Sequence, residues 1–208
     1  MVLKEILSKM NLRRDLKIIA NLINPNEIIL DVGCGDGVLL EYLLKNKKVD
    51  CRGIELNQEG VNKCVQKGLS VIQGDANYDL NNYPDNFFST VISSQTVHAM
   101  IQPEIVLKNL IRISKRAIIS FPNFGFWKIR REFLLKGKMP KNTILPYEWY
   151  NTPNIHLCTI KDFEDFCKNF DIKILKKIFI NSENEIFKPI LFENFFAYQV
   201  IFCISRYD

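Results

Sequence analysis

With 208 residues, 47% of them apolar and 25% charged, the chain holds enough hydrophobic material for one sizeable core and excludes a disordered or fibrous polymer. Its net charge of +5 and pI near 8.8 leave room for an acidic partner but fall short of the polybasic pattern of a nucleic-acid binder. Six cysteines without a C-x-x-C pair suggest neither a metal site nor a disulfide framework, and no apolar run approaches the roughly 18 residues of a membrane span.

The N-terminus, MVLKEILSKMNLRRDLK, is broken by charges too often for a secretory signal, so the cytoplasm is the expected location. Over 11–23, Leu12, Leu16, Ile19, Leu22 and Ile23 recur at helical spacing until Asn24-Pro25-Asn26 stops them. EIILDVG (27–33) reads as a buried parallel strand, and a helix is expected from about 37 to 46. CRGIEL (51–56) is a second strand; Asn57 caps a helix that runs to Lys67 and ends at Gly68. LSVIQGD (69–75) and FSTVISSQ (88–95) are the third and fourth strands, PEIVLKNLIRI (103–113) a helix opened by Pro103, and RAIISFP (116–122) the fifth strand. The stretch 121–158, aromatic, proline-containing and basic, is too long for an ordinary connection and reads as a lid or insertion. Thr159 and Asp162 predict a capping-box start for the next helix, and DIKILKKIFI and FFAYQVIFCISR supply two last strands. The alternation predicts an α/β fold, with an open, doubly wound, mostly parallel seven-stranded sheet of Rossmann-like type, in one domain spanning 1–208.

Ligands of such sheets bind beyond the carboxyl ends of the strands. The residues found there are Asp31, Gly33, Cys34, Gly35, Asp36 and Gly37 after the first strand, Glu55 and Leu56 after the second, Gly74, Asp75 and Ala76 after the third, and Ser94 and Gln95 after the fourth. A glycine loop of this kind could cradle a pyrophosphate, but Asp31 and Asp36 would repel one. A cation is favoured. S-adenosylmethionine (SAM) carries an ammonium and a sulfonium and no phosphate. Glu55 lies 24 residues after Asp31, near the offset at which an acid meets ribose hydroxyls, and Asp75 could accept from the adenine amino group.

This D-x-G-x-G-x-G pattern, with an acid ending the next strand and an Asp after the third, resembles the class I SAM-dependent methyltransferases over residues 11–120. VISSQTVHAM, IISFPNFGFWKIR, LPYEWYNTPNIHLCTIKDFEDFC and SVIQGD together resemble the MetW family of methionine biosynthesis proteins across nearly the whole chain. The resemblance implies a methyltransferase-fold protein that binds SAM and supports a homoserine O-acyltransferase. Acyl transfer on an α/β-hydrolase scaffold needs a G-x-S-x-G elbow, and none exists here, so a role in that reaction must run through a partner. The alternative is an active SAM-dependent methyltransferase on a small acceptor, for which His98 and His156 are the candidate general bases. The aromatics of 121–158 could wall an acceptor pocket, form a protein-binding patch or belong to the core. Lys128, Arg130, Arg131, Lys136, Lys138 and Lys141 could be the solvated face of a helix or meet an acidic protein surface; nucleic acid ranks last and no membrane is implicated.

Overall fold

The computed structural model describes residues 12–142, 145–189 and 191–207; the charge-broken N-terminal segment and the start of the expected 11–23 helix at Asn11 lie outside them. Helix α1 (Arg14–Leu22) leads into β1 (Ile28–Val32), α2 (Val38–Lys47), β2 (Asp50–Glu55), α3 (Gln58–Gln66), β3 (Val71–Gln73) and the single turn α4 (Ala76–Asp79). The second half runs β4 (Phe88–Ser94), α5 (Pro103–Arg112), β5 (Ser114–Pro122), α6 (Trp127–Lys136), α7 (Ile160–Asn169), β6 (Ile172–Ile180), β7 (Ile186–Phe187), α8 (Glu193–Phe196) and β8 (Gln199–Arg206).

The strands form one sheet in the order β3-β2-β1-β4-β5-β8-β6-β7. The pairings from β3 to β5 are parallel, whereas β8 runs antiparallel to both β5 and β6. Among the described residues the sheet therefore has eight strands where seven are expected. The additional one, β7, is a two-residue partner of the end of β6, too short for period-2 alternation to register in the sequence. The expected third strand contracts to Val71–Gln73 because Gly74 and Asp75 already turn into α4. The insertion is less irregular than its composition suggests: β5 runs to Pro122 and α6 occupies Trp127–Lys136.

Successive β1 residues serve opposite faces, so the strand reads as an unbroken apolar run. Ile29 belongs to the core layer that holds Leu16 and Ile19 of α1 and Leu39, Leu40 and Leu43 of α2, while Leu30 belongs to the opposite layer, with Leu107 and Leu110 of α5 and Phe163 of α7. Each fully buried Ile or Leu contributes about 2 kcal/mol. Local signals fix the helix ends: Asn57 accepts from the Glu59 amide, and Thr159 and Asp162 form a reciprocal capping box. Chain order reverses across the sheet between β1 and β4, opening a crevice at their carboxyl ends.

Candidate functional site

The glycine turn between β1 and α2 sits in that crevice. Gly33 (φ +73°) donates its amide to Ile54 O of β2 at 2.8 Å, and a Cβ at Gly33 would lie 2.5 Å from Thr96 Cγ2, just past β4. Only glycine satisfies both the left-handed backbone and this approach. Gly33 also lines two neighbouring cavities. One, of about 240 Å³, is bounded by Ile54, Glu55, Leu56, Gly74, Asp75 and Ala76. The other, of about 230 Å³, is bounded by Arg13, Asp31, Cys34, Gly35, Asp36 and Ser94. All the strand-end residues singled out from the sequence except Gly37 and Gln95 thus reach one of two adjoining hollows.

The acids differ in what they already do. Asp31 is 4% exposed, and burial, opposed by Arg13 and assisted by Glu55, pushes its carboxyl up to about 7. Its side chain accepts no hydrogen bond from any described residue. Glu55, by contrast, receives the Gly35 amide on one oxygen at 2.8 Å and the Asn57 amide on the other at 2.9 Å, pinning the glycine turn from below. Asp75 Oδ1 accepts from both nitrogens of Asn77, as the N-cap of α4. Asp36 lies 3.8 Å from Lys67 Nζ, which also donates to its backbone oxygen.

Ser94 and Gln95 carry a task the sequence did not disclose. Both donate to Asp15 Oδ2, at 3.1 and 3.4 Å, and Arg13 clamps the same carboxylate while also donating to Ser94 Oγ at 3.0 Å. Asp15 is 2% exposed. The network ties α1 across the end of β4 and sets Arg13 on the rim of the Asp31 cavity. Arg13 lies in a charged helix start, where solvation is the ordinary reading, and only the fold reveals its role. Asn77, Thr96, Ala99 and Met100 complete the other cavity and were also not singled out.

His98 and His156 come together in a third cavity of about 330 Å³ between α5 and α7, walled by Leu107, Phe163 and Phe166. Neither histidine lines the two hollows that meet at Gly33. His98 is 8% exposed with Nδ1 unpartnered; burial, opposed by a side-chain hydrogen bond with Asn154 that favours the protonated ring, depresses it to about 4 and leaves the imidazole neutral at pH 7. Burial pushes the Cys158 thiol up to about 12, which denies it thiolate character.

Residues 13–204 match the family model described as Methionine biosynthesis protein MetW. The chain belongs to the MetW family. A bifunctional methionine biosynthesis protein MetXA/MetW of Rhodopirellula baltica is 30% identical to this MetW-family chain over 181 residues. The match takes in 83% of this chain and 29% of that protein, so the chain spans less than a third of the relative's length. Solved structures share the fold. A SAM-dependent methyltransferase from Archaeoglobus fulgidus superposes with a TM-score of 0.68 at 16% identity, covering 97% of this chain and 98% of the other. A possible histamine N-methyltransferase from Thermotoga maritima gives 0.64 at 16% identity, over 90% and 86%. The MetW-family architecture is therefore the Rossmann-like one of class I methyltransferases.

The residues of this MetW-family chain fit a cationic nucleoside. Asp31 offers a buried carboxylate without a donor, Gly33 brings bare backbone to both hollows, and the larger of the two combines apolar walls with the Glu55 and Asp75 carboxylates. Among the described residues no helix is long and apolar enough to cross a membrane.

Proposed function

We propose that the chain binds SAM across the two hollows that adjoin at Gly33, and that it acts in methionine biosynthesis in the cytoplasm as a partner supporting a homoserine O-acyltransferase. The observation that carries the partnership is the Rhodopirellula protein, bifunctional by name, in which a MetW-like part occupies 29% of a longer MetXA/MetW chain. The absence of a G-x-S-x-G elbow from this sequence adds support, because it leaves the acylation to the other component. In the SAM site, Asp31, with Arg13 above it, receives the ligand ammonium, and backbone of the Gly33–Gly37 turn borders the carboxypropyl chain. Glu55 and Asp75 face the nucleoside, with Leu56, Ala76 and Met100 against its base. When bound, SAM would supply an activated methyl group; because SAM is made from methionine, its binding would also signal the output of the pathway to the early acylation step. Co-purification with the acyltransferase of the same organism, and assay of that enzyme with and without this chain, tests the role. A complex with raised activity supports it; no complex and unchanged activity reject it. An unaltered rate across a SAM titration rejects regulation by SAM.

A second reading, methyl transfer to a small acceptor, draws on the cavity that holds His98 and His156. An imidazole near pKa 4 is a weak general base at neutral pH, which ranks this reading below the first. Incubation with methyl-labelled SAM and candidate metabolites tests it, and tight SAM binding without transfer rejects it.

A further inference from the structure

Helix α6 is at odds with the rest of the fold. Of its ten residues only Ile129 is buried, whereas Phe133, Leu134 and Leu135 are 55%, 82% and 76% exposed. Three consecutive apolar side chains at such exposure are not explained by the core that the described residues form. Beyond Gly137 the chain enters a shallow groove edged by Met139, Tyr147, Trp149 and Leu157, each at least 47% exposed. The groove holds about 40 Å³, far below the roughly 300 Å³ that small-molecule sites begin at, but enough for one or two protruding side chains. It is held in place: Asn142 Nδ2 donates to Glu132 Oε2 of α6 at 2.9 Å, and Lys141 pairs with Glu148 at 2.6 Å.

Charge narrows the occupant. Residues 121–158 carry six lysines and arginines against two glutamates, a surplus of four in a chain whose total is +5. Both glutamates are engaged inside the insertion, Glu132 with Lys136 and Glu148 with Lys141. We propose that the outer face of α6 and the adjoining groove dock an acid-rimmed apolar surface of the acyltransferase, an inference that rests on the partnership proposed above and assigns it a location. A second copy of this chain fits worse, because an isologous contact would set the two cationic rims against each other.

The test measures binding of the full-length chain to the acyltransferase of the same organism at low and high salt. Three patch variants are used: the double Leu134→Asp/Leu135→Asp, Trp149→Ala and Lys138→Glu. Val65→Asp, 59% exposed on α3, is the control for an apolar-to-acid change elsewhere. SAM binding and thermal melting report that each variant folds. The expected result is wild-type binding that weakens with salt, a loss of about tenfold or more for each patch variant, and no loss for the control. Patch variants that bind like wild type overturn the surface and leave the partnership standing. A wild-type chain that forms no complex overturns both. Adhesion to phosphatidylserine vesicles, or self-association, that the patch variants lose while retaining acyltransferase binding also overturns it.

Discussion

The buried Asp31 makes a quantitative demand on ligand binding. With its carboxyl near 7, Asp31 is mostly neutral below that pH, and a ligand ammonium must first draw off its proton. The affinity for SAM should therefore fall as pH drops below about 7, approaching tenfold for each unit, or by about 2 kcal/mol between pH 7 and pH 5. Above about pH 8 the ligand's α-amino group loses its own proton, so affinity peaks between the two limbs. Titration calorimetry with SAM from pH 5 to 9 at constant ionic strength reads this profile. Asp31→Asn should flatten the acid limb and bind more weakly at pH 7.5, by about one to two orders of magnitude for the lost charge-assisted contact. Stability moves the other way. The folded value lies above the unfolded 3.8, so the group's contribution is complete below that value and is lost as pH rises through about 7. At pH 8 the ligand-free variant should accordingly melt higher than wild type. An affinity that is flat from pH 5 to 7, or an acid limb that survives in Asp31→Asn, would refute the assignment of this carboxylate to the ligand's cation.

Gly33→Ala and Gly35→Ala should separate cleanly, although both residues are left-handed. The first adds a 2.5 Å encounter with Thr96 to the backbone strain, and the second meets nothing within 4 Å, so Gly35→Ala should cost about 1 kcal/mol and Gly33→Ala at least twice that, read from urea midpoints. Asp15→Ala leaves Arg13, Ser94 and Gln95 without their shared acceptor and should lower stability by about 2–3 kcal/mol; a loss below about 0.5 kcal/mol would show that the network does not hold α1. For His98 the folded value near 4 lies below the ordinary 6.5, so its contribution is complete above 6.5 and is lost as pH falls towards 4. His98→Gln should make the acid limb of stability shallower in that window, and an unchanged limb would contradict the burial argument.

The first half of the fold was legible because parallel strands buried on both faces carry short, intense apolar runs, and their ends coincide with glycine and acidic residues. Thus β1, β2 and β4 fell within one or two residues of their expected bounds, and the turn at Gly33 joined hollows built from the expected strand ends. What stayed hidden depends on contacts distant in sequence. Ser94 and Asp15 are 79 residues apart, so no local pattern joins them, and neither Arg13 nor Asp15 stands out from a charged helix start. Asp75 was visible as an acid after a strand, but its engagement by Asn77 was not. Helix α6 was legible only as a possible solvated helix face in the basic run, without bounds, because a helix with a single buried residue lacks the stripe that reveals amphipathic helices, and that same deficiency exposes the face proposed for docking.

The place of β8 between β5 and β6 governs how the molecule can be assembled. Ala117 of β5 finds its neighbour Ile204 only 87 residues further along the chain, and β6 has no route into the sheet except through that late strand. During synthesis the open side of β5, with Ile118, Ile119 and Phe121, must wait unpaired until β8 emerges, a long-range closure of the kind that slows folding. In that interval the nascent chain presents an apolar strand edge to its surroundings, the kind of surface on which unfinished chains associate.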